Sequence, residues 1–388
     1  MHETPRFPTN GITELMELDR THNLSESTSQ DLSLREAIGE DAVAELLDLK
    51  LGYGSLEGLE PLRHMLAADR GVKPGQVLTV HGAILALHLV AMELCRSGED
   101  EVVVLAPTFP ATQDTLHAAG AKVIPCRTKF ENGYALSIED VMCRVTDRTR
   151  LVSLATPQNP SGKSITTDEI ESLLEALAER APEAYVLVDE TYRDATFDGV
   201  IPPSAAPLDG RVITCGSISK AYGVPALRLG WLTTTDAELY ERLRIAKMNT
   251  VISESLLCEH IAVRVLERKD EILAAQREVL NKAIAAIEAW LPSVGHLIEW
   301  VKPDGGALCV MRLKPDAFSD DLVTAFFDRQ AAFDLQVSRG EWFGDESRVI
   351  RIGFGHVDPE KLPAALEALG RALKAVSGTE AAAAVSAK

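Results

Sequence analysis

The chain has 388 residues, 46% of them hydrophobic and 25% charged, which is enough apolar material for a large domain and a smaller one. Its formal charge of −19 argues against a general nucleic-acid or acidic-membrane surface, because such surfaces need clustered positive charge. No apolar run reaches the roughly 20 residues that a membrane-spanning helix requires. Composition therefore predicts a folded protein that binds neither nucleic acid nor membrane.

The N-terminus and the cysteines bear on location. Residues 1–6 lack a basic segment followed by a hydrophobic stretch, so we expect no secretory signal. The six cysteines show no metal-like pairing, and most stand in apolar surroundings: they are residues 95, 126, 143, 215, 258 and 309. We expect reduced core thiols, no metal site and a cytoplasmic protein.

Between residues 75 and 235, short β-rich runs alternate with longer helical patterns. One helical pattern starts at a capping signal in residues 166–169 and extends to Arg180. Such alternation predicts a mainly parallel sheet covered by helices on both faces. The predicted strands are residues 77–80, 102–105, 122–126, 151–155, 186–189, 212–215 and 229–233.

The C-terminal third has a different pattern. A long helical stretch is predicted over residues 255–291, with an interruption near residues 268–269. The remainder is typical of an α+β region, and the residues after Ser377 are predicted to be disordered. Its predicted strands are residues 297–301, 307–312 and 349–354, and its predicted helices are residues 320–331 and 359–376.

Polar motifs follow several predicted strands, at the edge where open α/β sheets bind ligands. The turn His-Gly-Ala-Ile at residues 81–84 opens a helical run, so the backbone N–H groups of Gly82, Ala83 and Ile84 can bind a phosphate. Asp189 and Tyr192 follow another strand. Each motif alone has a structural alternative, since the glycine turn also suits any tight strand-to-helix connection and Asp189 also suits a cap.

The most informative stretch is Ser-Ile-Ser-Lys at residues 217–220, with Arg228 eight residues further on. A lysine amine can form an imine with a carbonyl group, while Ser217 and Arg228 can bind a phosphate by hydrogen bonds and charge. A phosphate-bearing aldehyde needs both features. A lone lysine is usually a solvated surface residue, so this interpretation depends on the other motifs.

This stretch resembles the lysine motif of class I/II aminotransferases, fold type I enzymes that use pyridoxal 5′-phosphate (PLP), and the family's other motifs occur in order from about residue 23 to 373. The resemblance implies an α/β fold: a large domain with a mainly parallel seven-stranded sheet covered by helices, and a smaller α+β C-terminal domain. It implies an N-terminal segment (1–35) packed on the small domain, a PLP-binding domain (36–275), a small domain (276–376) and a disordered tail (377–388).

The same resemblance implies roles at the cofactor. Lys220 would hold PLP as a Schiff base and then act as the base, and Asp189 would keep the pyridine nitrogen protonated so that the ring accepts electrons. Tyr192 and Asn159 would hydrogen-bond the phenolic oxygen. Phe109 would stack on the ring, although it is equally suited to the core.

Two further residues match the family at a distance from the lysine. Arg351, in Val-Ile-Arg-Ile-Gly at residues 349–353, matches the arginine that binds the substrate α-carboxylate, beside Asn159. Tyr53 matches the tyrosine that family members lend to the phosphate of the neighbouring subunit. The resemblance therefore implies a homodimer with shared active sites.

The implied reaction moves an amino group between an L-amino acid and a 2-oxo acid. The same carbanion can instead expel a leaving group, cyclise or react with oxygen, so a lyase, cyclase or oxidase remains an alternative. Many aminotransferases carry a glycine in the segment that corresponds to residues 23–28. In this chain that segment, together with residues 222–225 and 250–253, resembles the subgroup around capreomycidine synthase, whose members act on arginine derivatives. Glu26 would then meet a guanidinium, or be a solvated loop acid.

A binding protein that has lost catalysis is a third possibility, against which intact Lys220 and Asp189 argue.

Overall fold

The computed structural model describes residues 7–9, 11–16, 18–95 and 98–378. Residues 1–6 of the predicted N-terminal segment and residues 379–388 of the predicted disordered tail lie outside the described residues. No helix within these ranges is long and apolar enough to cross a membrane. The division into residues 1–35, 36–275 and 276–376 stays a prediction.

The described elements alternate along most of the chain. The α-helices are α1 (Gly11–Met16), α2 (Leu34–Ile38), α3 (Glu40–Leu47), α4 (Glu60–Arg70), α5 (Gly82–Leu94), α6 (Pro110–Ala118), α7 (Ile138–Met142), α8 (Thr167–Arg180), α9 (Ala237–Met248), α10 (Leu256–Glu267), α11 (Lys269–Trp290), α12 (Asp320–Arg329) and α13 (Leu362–Ser377). The strands are β1 (His22–Asn23), β2 (Val77–Val80), β3 (Glu101–Ala106), β4 (Lys122–Arg127), β5 (Thr149–Ala155), β6 (Tyr185–Asp189), β7 (Val212–Ser217), β8 (Gly230–Thr234), β9 (Ile298–Val301), β10 (Leu308–Leu313), β11 (Leu335–Gln336), β12 (Ser338–Arg339) and β13 (Val349–Gly353).

Seven strands form one large sheet in the order β2-β8-β7-β6-β5-β3-β4. Strand β8 runs antiparallel to β2 and β7, and every other neighbouring pair is parallel. All seven predicted strands are present, so the prediction of a mainly parallel seven-stranded sheet is confirmed. The carboxyl ends of β2, β3, β5, β6 and β7 therefore meet the amino end of β8 along one edge.

Helices cover both faces of this sheet, which explains why its central strands are hydrophobic without interruption. In β3, Val102 and Val104 pack into a core shared with α5 and α9, whereas Val103 and Leu105 pack into a second core shared with α7 and α8. Alternate residues of a strand point to opposite faces, so each core receives every second side chain.

Helix α8 starts where its capping signal predicts. The Thr166 hydroxyl accepts a hydrogen bond from the backbone N–H of Glu169 at 3.2 Å, and the Glu169 carboxylate accepts one from the backbone N–H of Thr166 at 2.8 Å. This reciprocal capping box satisfies two N–H groups that the first turn would otherwise leave open.

A second sheet lies in the C-terminal third, in the antiparallel order β12-β13-β10-β9. Helices α11, α12 and α13 pack together beside it. The predicted break in the long helical stretch is present at Arg268, between α10 and α11. Every residue of β13, including Arg351, is buried.

The N-terminal segment joins the two sheets. Strand β1 pairs in parallel with β11, and the chain then follows β13, where the Gly353 N–H donates to the Leu24 carbonyl at 2.7 Å. A Cβ on Gly353 would lie 1.6 Å from the Glu26 carbonyl oxygen, so only glycine permits this approach. Further on, the Ser29 N–H donates to the Lys220 carbonyl at 3.1 Å. Residues 24–29 are thus held between β13 and the loop that follows β7.

Candidate active site

The edge of the large sheet brings together most of the residues that the sequence singles out. Asp189 and Ser217 are the last residues of β6 and β7, and Lys220 follows β7 by three residues. Asn159 follows β5 by four residues, and Phe109 follows β3 by three and is half-buried. Since these strands are parallel neighbours, their carboxyl ends converge on one location.

The amine of Lys220 faces inward at this location. Its Nζ lies 3.3 Å from Ser27 Oγ, 3.4 Å from Glu26 Oε1 and 5.9 Å from the centroid of the Tyr192 ring. The Lys220 side chain is 23% exposed, which leaves it accessible to a ligand without placing it in bulk water.

Asp189 and Tyr192 stand on the two sides of a short turn after β6. The Asp189 carboxylate accepts a hydrogen bond from the Thr191 N–H at 2.9 Å, and the Tyr192 hydroxyl donates to Ser27 Oγ at 2.8 Å. Removal from water raises the pKa of Asp189, and the hydrogen bonds from Thr191 and the charge of Lys220 act against that rise. A cation placed against this carboxylate would stabilise its charged form.

A cradle for an anion forms where α5, the end of β7 and the start of β8 meet. Helix α5 begins at Gly82 without a side-chain cap, so its first N–H groups remain available. The guanidinium of Arg228 lies against Gly82, where a Cβ would sit 2.5 Å from Nη2. Ser217 is buried, Ala83 is half-buried and Ile84 has its side chain exposed.

Close packing of Gly230 keeps this cradle together. A Cβ on Gly230 would lie 2.6 Å from the Ala83 nitrogen and 2.7 Å from the Gly216 carbonyl oxygen. Ser219, which the sequence analysis did not select, accepts a hydrogen bond from Arg228 Nη1 at 3.3 Å. The donor set of backbone N–H groups, hydroxyls and a guanidinium fits a phosphate.

Arg351 is buried beside Lys220 but separated from it by the N-terminal segment. Its Nη1 donates to Asn159 Oδ1 at 3.3 Å, and its Nη2 donates to Ser338 Oγ at 3.0 Å and to the Ser25 carbonyl. The guanidinium carbon also lies 4.7 Å above the centroid of the Phe343 ring.

The hydrogen-bond partners of Arg351 named above are all neutral. Its buried Nε has no hydrogen-bond partner among the described residues. Burial lowers the pKa of Arg351, and the nearby groups of Tyr192 and Glu26 act in the opposite direction. A buried guanidinium with unused N–H groups, to which no carboxylate of the described residues is hydrogen-bonded, fits a carboxylate ligand.

Glu26 lies at the mouth of the site, with its side chain 46% exposed. Its Oε1 accepts hydrogen bonds from the Ser27 N–H at 2.7 Å and from Lys220. Burial alone would raise the pKa of Glu26, but the charge of Lys220, the Ser27 N–H and the charge of Arg351 together hold the pKa below its usual range. Glu26 is therefore a carboxylate that faces both Lys220 and solvent.

Tyr53 is the one predicted site residue that the structure of a single chain does not bring to this location. It lies in the loop between α3 and α4, and it is 87% exposed.

Below the site, a buried network of charges supports the turn that carries Tyr192. Arg193 donates to Asp69 at 2.8 Å, and Lys269, the first residue of α11, also donates to Asp69. The hydroxyl of Tyr222 donates to Asp194 at 2.7 Å, which ties the Lys220 loop to the same turn. Burial alone would raise the pKa of Asp69, but its cationic neighbours hold the pKa far below the usual range.

Several site residues were not found from the sequence. Ser25 and Ser27 were part of the segment that resembles a family motif, but their neighbour Glu26 alone was selected. The pair of serines on either side of that acid was the available signal. Ser338 and Phe343 carried no signal, since short stretches of ordinary composition bring them to Arg351.

Comparisons with known proteins agree with this geometry. The family profile "Aminotransferase class I and II" matches residues 16–369. The chain is similar to capreomycidine synthase of Streptomyces vinaceus, with 33% identity over 81% of this chain and 79% of that protein. It is also similar to arginine–pyruvate transaminase AruH of Pseudomonas aeruginosa, with 30% identity over 83% of each chain.

A solved structure supports the same assignment. A PLP-dependent aminotransferase from Streptococcus suis 89-1591 superimposes with a TM-score of 0.86 at 25% identity, over 96% of this chain and 99% of that one. The lysine, the anion cradle and the arginine with unused N–H groups fit PLP and a carboxylate substrate. The chain belongs to the class I and II aminotransferase family of fold type I enzymes, whose cofactor is pyridoxal 5′-phosphate.

Proposed function

We propose that this enzyme is an aminotransferase that moves an amino group between an L-amino acid and a 2-oxo acid. The observation that carries the proposal is the position of Lys220, whose Nζ lies between Tyr192, Ser27 and Glu26 beside the anion cradle. Retention of this lysine together with Asp189 argues against a protein that only binds.

The residues divide the work of holding the cofactor. Lys220 bonds to its aldehyde, while Ser217, Arg228 and the N–H groups of Gly82, Ala83 and Ile84 bind its phosphate. PLP supplies an electron sink that stabilises negative charge on the substrate α-carbon. Asp189 would pair with the pyridine nitrogen. Burial makes the charged form of this carboxyl costly, which is why its pKa is raised, and a cation beside it lowers that cost.

The remaining contacts orient the ring. Tyr192 and the amide nitrogen of Asn159 would both donate to the phenolic oxygen of the cofactor. The Oδ1 of Asn159 would continue to accept a hydrogen bond from Arg351. Phe109, half-buried at the end of β3, stacks on the ring. Together these three side chains would fix the orientation of a bound cofactor relative to Lys220.

Arg351 binds the α-carboxylate of the amino acid through the N–H groups that its protein partners leave unused. Lys220, once released from the cofactor, removes the α-proton and later returns a proton, which a lysine amine in a desolvated site can do. Burial of Arg351 and Tyr192 excludes water from this end of the site.

A second candidate is a lyase, cyclase or oxidase that acts on an amino acid such as an arginine derivative. Glu26 favours it, because its exposed carboxylate faces the site and would pair with a guanidinium. The similarity to capreomycidine synthase and to arginine–pyruvate transaminase supports a substrate of this kind.

We also propose that the enzyme is a homodimer in which Tyr53 reaches the phosphate of the neighbouring subunit. The exposure of Tyr53 supports this, as do large exposed apolar side chains on the neighbouring elements. They are Leu47, Leu51, Ile84, Met92, Ile245, Met248, Ile252 and Leu257. Six unpaired cysteines support a cytoplasmic location.

The bond to Lys220 can be tested directly. The PLP-loaded protein is reduced with borohydride, digested and analysed by peptide mass spectrometry. We expect the pyridoxyl group on Lys220. Lys220→Arg, which keeps the charge, should give no modified peptide, and modification of another lysine in the wild-type protein would overturn the proposal.

The reaction type needs a second experiment. The protein is incubated with arginine, ornithine, lysine, aspartate, alanine and tyrosine in turn, without any oxo acid, while the cofactor spectrum and product masses are followed. Accumulation of pyridoxamine phosphate with an equimolar 2-oxo acid supports transamination. Ammonia or a cyclised product, with PLP regenerated at each turnover, supports the second candidate and contradicts the first.

A further inference from the structure

Ser27 lies between the two side chains of the candidate site that can exchange protons with it. Its hydroxyl oxygen is 2.8 Å from Tyr192 Oη and 3.3 Å from Lys220 Nζ. Ser27 is 4% exposed, so water competes little for this oxygen. The proposed function gives Ser27 no role.

Hydrogen bonds and close packing of the neighbouring residues hold Ser27 in place. Its N–H donates to Glu26 Oε1 at 2.7 Å, and the carbonyl of Glu26 lies against Gly353, where no side chain fits. Two residues later, Ser29 N–H donates to the carbonyl of Lys220 itself. The hydroxyl of Ser27 is thus fixed relative to both β13 and the lysine loop.

A hydroxyl at this point suits a lysine that gains and loses a proton. It has two lone pairs and one O–H, so it accepts from an ammonium group and donates to a neutral amine. The phenol of Tyr192 donates to one of these lone pairs, and its single O–H would turn to the phenolic oxygen of a bound cofactor. The carboxylate of Glu26, which only accepts, lies 3.4 Å from the same Nζ and adds negative charge. Ser27 and Glu26 can therefore each accept an N–H from this amine.

We propose that Ser27 is a positioning residue that, with Glu26, holds the protonated amine of Lys220 next to Tyr192. Nζ donates one N–H to Ser27 Oγ and another to the Glu26 carboxylate, and the proton remains on Nζ until the lysine returns it. This inference rests on the proposed role of Lys220 as the base. It assigns to Ser27 the task of keeping that base in reach while it is charged.

The test uses the full-length chain freed of cofactor, so that Lys220 is a free amine. The protein is treated with acetic anhydride over a range of pH values, and acetylation of Lys220 is followed by peptide mass spectrometry. Only the neutral amine reacts, so an acceptor for the ammonium form slows labelling. Ser27→Ala should shift the labelling curve to lower pH, with a rate about tenfold above wild type at a pH below the midpoint, because a hydrogen bond to a charged group is lost.

Two variants separate a hydrogen-bonding role from a change in packing. Ser27→Thr keeps the hydroxyl and should label within twofold of the wild-type rate. Ser29→Ala is the matched control, because Ser29 lies in the same segment, is buried, and its Oγ has no partner in the described part of the chain. It should leave the curve unchanged.

A wild-type curve for Ser27→Ala, or an equal shift in Ser29→Ala, would overturn the inference. Labelling requires neither cofactor nor turnover, so these outcomes are independent of the borohydride experiment. Failure there would overturn the proposed function, whereas failure here would overturn only the role of Ser27.

Discussion

The two sides of the candidate site are built in different ways. The proposed phosphate side consists of backbone N–H groups at Gly82, with Ser217 and Arg228, all of which stand at the ends of strands in one sheet. The proposed substrate side centres on Arg351, whose guanidinium donates to the carbonyl of Ser25, 326 residues away in the sequence. The phosphate side is therefore fixed by the topology of one sheet. The substrate side depends on the docking of the N-terminal segment on β13, so it can change without disturbing the cofactor.

The largest expected effect comes from the residue shared by both sides. Lys220→Ala should reduce turnover by at least roughly 10³-fold, since it removes both the bond to the cofactor and the proposed base. Steady-state assays measure this loss, and far-UV circular dichroism should show an unchanged fold. Turnover close to wild type would contradict the proposed role.

The next effect concerns the substrate side alone. Arg351→Ala should weaken amino-acid binding by roughly 2–5 kcal/mol, as expected when a buried charge pair loses one member. It should raise KM while the affinity for PLP stays near wild type. Arg339→Ala, on the adjacent strand β12 with its guanidinium over the ring of Phe327, is the control and should leave KM unchanged. An unchanged KM in Arg351→Ala would exclude the carboxylate role.

A change on the proposed phosphate side should weaken PLP binding and leave KM for the amino acid near wild type. Gly230→Ala would place a Cβ against backbone atoms of Ala83 and Gly216, which cannot move as a flexible side chain could. Overpacking of this kind costs roughly 1–3 kcal/mol, which we expect to appear as weaker PLP binding in an absorbance titration. Gly75→Ala, with open space around it, is the control. If Gly230→Ala altered KM more than PLP affinity, the separation of the two sides would be wrong.

The ion pairs around Asp69, which support the turn that carries Tyr192, should stabilise both sides of the site. Their contribution to stability should depend on pH. The pKa of Asp69 is depressed in the folded protein by its cationic neighbours, among them Arg193 and Lys269. The contribution of Asp69 to the free energy of unfolding is therefore fully present above the pKa of about 3.9 that an aspartate has in the unfolded chain. It is lost as the pH falls below that value. Asp69→Asn should lower the free energy of unfolding by roughly 2 kcal/mol at pH 7, measured in urea.

The same variant provides its own check. The difference between wild type and Asp69→Asn should shrink as the pH is lowered from 4 towards 2, because the unfolded wild-type chain then gains a proton on this carboxyl while the folded chain resists doing so. A difference that stays constant over this range would show that the ion pairs contribute nothing.

The smallest effect should come from a change remote from both sides. Thr166→Ala removes the cap of α8 and should cost about 1 kcal/mol, a fall of about 1 °C in Tm. PLP affinity and KM should both stay at wild-type values. A loss of activity here would mean that the assays report general stability and cannot distinguish the two sides.

The residues of the proposed phosphate side could be placed together from the sequence for a physical reason. Ser217, Asp189 and Lys220 stand within a few residues of strands whose hydrophobic runs are unmistakable, and parallel strands bring their carboxyl ends together. The turn at Gly82 follows the same logic. These positions needed only local patterns and the rule for where such sheets bind ligands.

The substrate side was predicted less completely. Arg351 was found through its resemblance to a family motif, but Ser25, Ser27 and Ser338 were not, since their contacts depend on which distant segments pack together. No local period encodes the approach of Gly353 to Glu26. The role of Tyr53 stays a prediction, because a single chain leaves its side chain in solvent.

The short stretch from Ser25 to Ser27 has a further consequence. The first serine's carbonyl anchors Arg351 and the second serine's hydroxyl anchors Lys220, so only two peptide units set the spacing between these cations. An extended stretch of that length spans at most roughly 7 Å. If Arg351 and Lys220 act as proposed, this stretch sets the distance from the carboxylate of an amino acid to its reacting hydrogen. Inserting or deleting one residue there would misplace both anchors at once, whereas substituting Glu26 would keep the two peptide units and remove only the carboxylate that accepts from the Ser27 N–H and from Lys220.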